Sequence, residues 1–349
     1  MKRVYLDYNA SAPLREEARE AMVHAMALAG NPSSVHAEGR QARAIVETAR
    51  QQVAAALGAQ GADVIFTSGA TEAAGLALTG RGIRCADIEH EAVSSWCQSD
   101  LSCGLDGGVA CQAPGATALQ LANSETGILQ QLPEGLALCD MTQAFGKLPV
   151  AFHWTGATMA LVSAHKIGGP KGVGALIVKR GTEVAAQIKG GGQEMGRRSG
   201  TENVIGIAGF GAAAEAAQRD LADGVWEQVE KLRNILEKAV AQSSSETIFT
   251  GKGGRRLPNT SYMISEGWRG ENQVMQMDLA GFSVSAGSAC SSGKIKRSRV
   301  LQAMGFSAEQ AACALRVSLG PQNKQEDIER FVEVWGAHQH RLQGRRRSA

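Results

Sequence analysis

Lys166 closes the segment Met159-Ala-Leu-Val-Ser-Ala-His-Lys166, and a glycine-rich turn, Ile-Gly-Gly-Pro-Lys-Gly, follows it before a second apolar run begins at Gly174. The pattern places a lysine at the end of a strand with a close-fitting loop beyond it. A lysine so held can form a Schiff base with an aldehyde cofactor. Taken alone, a lysine in such a turn is more often a solvated surface residue, and the local sequence does not overturn that reading. The rest of the chain has to decide.

Other residues at strand ends carry compatible chemistry. Ser68-Gly-Ala-Thr-Glu72 reads as a strand-to-helix turn whose free N–H groups and helix dipole suit an anion, with the Thr71 hydroxyl beside them; an ordinary N-cap has the same look. Asp140 ends an apolar run and needs a partner. A protonated pyridine nitrogen would serve, and so would the backbone of the Met141–Gln143 turn. Gln143 could reach the same ligand. His90, in Glu89-His-Glu-Ala-Val93, could stack on a ring or be structural. Cys290 lies in Ser285-Ala-Gly-Ser-Ala-Cys-Ser-Ser-Gly-Lys294, where small neighbours and Lys294 and Lys296 favour an open, thiolate-bearing loop over a buried thiol. Arg316 is a charge inside the apolar run Leu315-Arg-Val-Ser-Leu319 and calls for a carboxylate, from a ligand or from the protein.

These residues need elements to hold them. Helices are expected over 15–28 and 38–57, the second with Ala42, Ile45, Val46, Ala49 and Val53 on one stripe. Strands are expected at 64–67, 136–140 and 160–163, an alanine-rich helix after Glu72, and helices over 203–219 and 224–241. The alternation implies a mostly parallel sheet with helices on both faces, and ligands in such sheets bind beyond the carboxyl ends of the strands. After a Ser/Gly/Arg-rich stretch at 243–258, strands at 259–264, 282–286 and 315–319 with helices near 270–279, 298–304 and 324–341 read as a smaller α/β unit. The expected division is a large domain over 13–245 and a small domain built from 1–12 and 246–349 that carries Cys290.

Bulk composition narrows the setting. A chain of 349 residues with 44% hydrophobic and 20% charged residues is expected to form a two-domain globular protein. A net charge of +2 gives no field for nucleic acid or an anionic membrane. No apolar run approaches the ~18 residues of a spanning helix. The first residues, Met1–Asp7, have no apolar stretch behind their charges, so no secretory leader is expected. Seven irregularly spaced cysteines point to free thiols and a reducing, cytoplasmic setting, and Cys97, Cys103 and Cys111 lack metal-ligand spacing.

Taken in order, Tyr5-Leu-Asp-Tyr-Asn-Ala10, Phe66-Thr-Ser-Gly-Ala-Thr-Glu72, Glu89-His90, Asn123-Ser-Glu-Thr-Gly127, Asp140-Met-Thr-Gln143, Ser163-Ala-His-Lys166, Arg197-Arg-Ser-Gly-Thr-Glu-Asn203, Gly287-Ser-Ala-Cys290 and Leu315-Arg316 closely resemble the cysteine desulfurases. These are class V members of the fold-type I pyridoxal-phosphate enzymes. The resemblance implies a PLP-transferase fold and conversion of L-cysteine to L-alanine with a persulfide on Cys290. That sulfur would feed iron–sulfur cluster, cofactor or tRNA synthesis. It implies Lys166 as the Schiff-base lysine, Asp140 at the pyridine nitrogen, Gln143 at the ring hydroxyl and His90 on the ring. Ala70, Thr71, Ser163 and His165 would hold the phosphate, and Thr201 would reach the phosphate of a partner subunit in a homodimer with shared sites. Asn9, Asn123 and Arg316 become candidates for the substrate region. A sulfur-acceptor protein is implied, with no membrane or direct nucleic-acid partner. The alternatives are a selenocysteine or cysteine-sulfinate lyase, an aminotransferase-like paralogue, or a non-catalytic partner protein of the same fold. Ser124 stands where the family carries a second Asn, so a longer or water-bridged contact to the ring is expected there. The short spacings around 90–140 imply a trimmed large domain.

Overall fold

The computed structural model describes residues 3–287 and 297–347. Cys290, Lys294 and Lys296 lie outside them. The first half of the chain runs β1 (Val4–Tyr5), α1 (Glu16–Met26), α2 (Ala37–Ala56), β2 (Asp63–Thr67), α3 (Ala70–Leu78), β3 (Arg84–Ala86), α4 (Glu91–Ser94), β4 (Gln98–Leu101), β5 (Thr117–Gln120), β6 (Leu138–Asp140), β7 (Met159–Ser163) and β8 (Gly174–Val178). Seven of these strands form one sheet in the order β2-β8-β7-β6-β5-β3-β4. β8 is antiparallel to both neighbours, and the pairs β7–β6, β6–β5, β5–β3 and β3–β4 are parallel.

Side-chain alternation makes the sheet two-faced. Val64, Phe66, Cys139, Ala160, Val162, Ala175 and Ile177 pack with α1, α2 and the next helix, α5 (Val204–Ala222). Ile65, Leu138, Met159, Leu161, Leu176 and Val178 pack instead with Ala73, Ala74, Leu76 and Ala77 of α3 and Val93 of α4. Helices therefore cover both faces, as the alternating pattern predicts. Small residues on α5 let it lie close to α2. A Cβ on Gly211 would sit 2.7 Å from the Ala49 Cα.

The chain continues through α6 (Val225–Ser243), β9 (Ile248–Phe249), β10 (Thr260–Ile264), α7 (Gly270–Leu279), β11 (Phe282–Ser283), β12 (Ser285–Ala286), α8 (Arg299–Ala303), α9 (Ala308–Ala311), β13 (Ala314–Ser318) and α10 (Gln325–Arg347). A second sheet has the order β12-β13-β10-β9 and is antiparallel throughout. The run expected as one strand over 282–286 is two. Phe282 and Ser283 pair in parallel with Val4 and Tyr5, whereas Ser285 and Ala286 pair with Arg316 and Leu315. Phe282, Val284, Leu315, Val317, Phe331 and Trp335 share a core with Val4, Leu6, and with Trp226, Val229, Leu236 and Val240 of α6. The texture of the sequence changes after 243, but the packing face of α6 belongs to this second core.

Candidate active site

The parallel strands of the large sheet end at Thr67, Gln120, Asp140 and Ser163, all at the same edge. A cavity of about 560 Å³ opens there. Ala70, Thr71, His90, Ser124, Asp140, Gln143, Ser163, His165 and Lys166 all line it, joined by Ser11, Gln120, Thr142 and Lys171. The size is that of a small-molecule site.

One end of the cavity is built for an anion. The first turn of α3 presents its backbone N–H groups at Ala70 and Thr71 beside the Ser68, Ser163 and His165 side chains. Glu72 braces this turn by accepting from the Ser68 N–H at 2.8 Å and from Arg198 Nε at 2.8 Å. Gly174 of β8 lies directly beneath. A Cβ there would fall 2.7 Å from the Gly69 Cα and 2.6 Å from the Val162 carbonyl oxygen. Burial, followed by the positive charges of Lys166, Lys171 and Lys147, holds the His165 imidazole down to about 4, so the ring is neutral near pH 7.

The other end carries the reactive groups. Lys166 Nζ donates to the carbonyls of Asn9 at 2.7 Å and Ala10 at 3.0 Å. Asp140 accepts the Thr142 N–H at 2.8 Å, so it caps its turn while also facing the cavity. His90 caps α4 by accepting the Ala92 N–H on Nδ1 at 3.1 Å, which leaves the proton on Nε2. Beside it the Glu89 carboxyl is buried. Burial pushes it well up; the bond from the Gln120 N–H and the Arg299 charge oppose this, and the Asp140 charge adds to it.

Three candidate residues do not line the cavity but stand behind it. Asn9 is a buried hub. Its Nδ2 donates to the Ser124 carbonyl and Thr260 Oγ1, and its Oδ1 accepts from Lys147 and Asn259. Asn123 folds its own loop, accepting the Glu125 and Thr126 N–H groups on Oδ1. Arg316 donates to the Ser124 carbonyl at 3.0 Å and to Asp7 at 2.8 Å, so the carboxylate it calls for is supplied within the chain. Thr201 faces a separate hollow of about 230 Å³, which shares Ser68 and Gly172 with the main cavity.

Cys290 itself is outside the described residues, but both flanks of its segment are fastened near the site. On one side Ser285 pairs with Arg316 and donates to Asp7 at 2.8 Å. On the other, Ser298 caps α8 and donates to Glu125, while Arg299 donates to the Glu89 carbonyl at 2.8 Å. Sequence reasoning missed Ser11, Lys171, Glu89, Glu125 and Lys147. Lys171 stands in the glycine-rich turn already singled out, whereas no local signal marks Lys147.

The chain matches the family described as Aminotransferase class-V over residues 4–103 and 113–331. It is 35% identical to "Cysteine desulfurase IscS" of Dictyoglomus turgidum over 371 residues, covering 96% of this chain and 94% of that protein. It is 39% identical to "Cysteine desulfurase" of Frankia sp. over 380 residues, with 95% and 90% covered. The X-ray structure of a NifS-like protein from Rickettsia africae superposes with a TM-score of 0.87 at 30% identity, covering 95% of this chain and 98% of that one.

Proposed function

Because this chain belongs to the class-V aminotransferase family and, within it, to the pyridoxal-phosphate-dependent cysteine desulfurases, we propose that it turns L-cysteine into L-alanine at the cavity around Lys166 and passes the sulfur to Cys290. The observation that carries the site assignment is the convergence of the Lys166 amine, Asp140, His90 and the α3 N-terminus on one cavity.

The donor set fits the cofactor. The α3 turn supplies N–H and hydroxyl donors for a phosphate, and Gly174 leaves the turn the room that a side chain would take. Pyridoxal phosphate, when bound, supplies the electron sink that makes a substrate Cα proton removable. Ala70, Thr71, Ser163 and His165 would hold its phosphate. The neutral His165 would do so as a hydrogen-bond donor. Asp140 would face the pyridine nitrogen, Gln143 the ring hydroxyl and His90 the ring face. Ser124, short beside the Asn usual in the family, would reach the ring region through water. Lys166 would hold the cofactor and, once displaced by the substrate amine, take the Cα proton on Nζ. Arg316 is our candidate for the substrate carboxylate, which would share the guanidinium with Asp7, and Asn9 and Asn123 would support it from behind the cavity. The Cys290 thiolate would attack the substrate sulfur, forming the S–S bond as the C–S bond breaks; a proton would then take up the C–S electron pair at Cβ, Lys166 would return the Cα proton, and alanine would depart.

Thr201 lies outside this chain's main cavity, which fits a reading in which it serves a partner subunit's phosphate in a homodimer. The six described cysteines are free thiols, in keeping with a reducing cytoplasm. A sulfur-acceptor protein and supply to iron–sulfur cluster, cofactor or tRNA synthesis complete the proposal.

The test is direct. Purified protein with L-cysteine and a thiol reductant should release sulfide and alanine in equal amounts. Cys290→Ser should keep the cofactor's absorbance band and lose sulfide release. Sulfide production that survives this change contradicts the role given to Cys290.

A further inference from the structure

Lys147 is 2% exposed, and two neutral amide oxygens are its hydrogen-bond partners. Its Nζ lies 2.7 Å from Gln143 Oε1 and 2.9 Å from Asn9 Oδ1. Burying an amine among neutral groups is costly, and none of the steps above uses it. Both oxygens it binds belong to residues at the Lys166 site: Gln143 lines the cavity, and the Asn9 carbonyl accepts from Lys166.

An amide is ambiguous: oxygen and nitrogen have nearly the same shape, and either can face a given neighbour. Here two contacts of opposite polarity remove the ambiguity for Gln143. Its Nε2 donates to the Asn9 carbonyl at 2.9 Å, a group that only accepts. Its Oε1 meets the Lys147 amine, which serves as donor at that contact. The Asn9 amide is fixed in the same way. Its Nδ2 is committed to the Ser124 carbonyl and Thr260 Oγ1, so its Oδ1 must face Lys147. A lysine amine has at least two hydrogens whether charged or neutral, which matches two acceptors. Burial, then the charges of Lys166 and Arg316, push the Lys147 amine well below its ordinary range.

We propose that Lys147 is a positioning residue for the desulfurase reaction. It locks the Gln143 side chain so that its second amide hydrogen is presented to the cavity as a donor. The inference rests on the cofactor site assigned above. In that site a donor at Gln143 stabilises an oxygen on the cofactor ring, whereas a flipped amide would set oxygen against oxygen.

Lys147→Met keeps nearly all of the side chain's length and removes the donor, leaving Gln143 Oε1 buried without one, so only the Asn9 carbonyl still holds the amide and its orientation is no longer locked from both sides. Pyridoxal 5′-phosphate is titrated into wild type, Lys147→Met, Gln143→Ala and the double variant, and the absorbance of each loaded protein is followed against pH. A lost hydrogen bond of this kind corresponds to about a tenfold rise in Kd. The expected result is that both single variants show that rise, shift the absorbance midpoint in the same direction, and that the double variant goes no further than Gln143→Ala alone. A Lys147 that merely supports packing would weaken binding again in the Gln143→Ala background, and that additivity overturns the inference. So does wild-type affinity and midpoint in Lys147→Met. If Lys147→Met does not fold, Lys147→Gln, which offers an acceptor as well as a donor, is measured with the same expectation. A wild-type protein that takes up no pyridoxal phosphate sinks the underlying site reading instead.

Discussion

His165, which lines the cavity, and Glu89, buried beside His90, make opposite predictions about stability and pH. His165 titrates from an ordinary value of 6.5 down to about 4 in the fold. The unfolded chain therefore binds the extra proton first. Stability is fully present above pH 6.5 and is lost as pH falls toward 4. His165→Asn should flatten that decline in the cofactor-free protein, as denaturant melts between pH 4 and 7 would read; an unchanged slope would mean another group is responsible. Glu89 has the reverse sign. Its folded carboxyl keeps its proton well above the ordinary 4.5, so its stability is full below that pH and is lost as pH rises. Glu89→Gln should raise the unfolding midpoint at pH 7 and leave it nearly unchanged at pH 4. An equal shift at both pH values would point to shape rather than charge. At this scale the sequence was legible where chemistry and chain order coincide. Lys166, Asp140, Gln143 and the Thr71 turn reach one cavity as their strand-end positions suggest. Lys147 was invisible because Gly146-Lys147-Leu148 reads as a surface turn, and its partner Asn9 is 138 positions away in the chain.

Among the elements, the antiparallel β8 matters beyond its place in the sheet. Its first residue, Gly174, lets the turn before α3 approach closely. Gly174→Ala should press that turn outward and weaken pyridoxal-phosphate binding by roughly tenfold or more, by the loss of one or two charge-assisted bonds to the phosphate. Unchanged cofactor affinity in a folded Gly174→Ala protein would show that the turn is not the phosphate seat. The elements with a clear apolar pattern were readable: α2, α5, α6, β2 and β7 lie within a few residues of expectation. β3 and β4 were missed since they span three and four residues and carry Arg84, Gln98, Ser99 and Asp100, without a run long enough to alternate. β11 and β12 were read as one because Phe282–Ala286 is continuously strand-like. Only the distant partners, β1 and β13, divide it.

For the whole molecule, the shortness of the connections is a feature of the fold. The aligned stretch with the Dictyoglomus relative, 371 positions, exceeds the entire 349-residue chain, so that relative carries segments this chain lacks. β3 and β4 are joined through the four-residue α4, and no helix intervenes between β5 and β6 among the described residues. We propose that homodimerisation with shared sites offsets what the shorter chain cannot cover by itself, and Thr201→Val should then lower cofactor affinity without changing the oligomeric mass. Light scattering and cofactor titration together check this, and a monomer with full activity would refute it. Of the three lysines near the cavity, Lys166 is the one proposed to hold the cofactor. Borohydride reduction of the loaded protein, followed by peptide mass analysis, reads this directly. A phosphopyridoxyl mass is expected on the peptide containing Lys166 and none on Lys147 or Lys171; the label on either of those lysines, or on none, rules this assignment out.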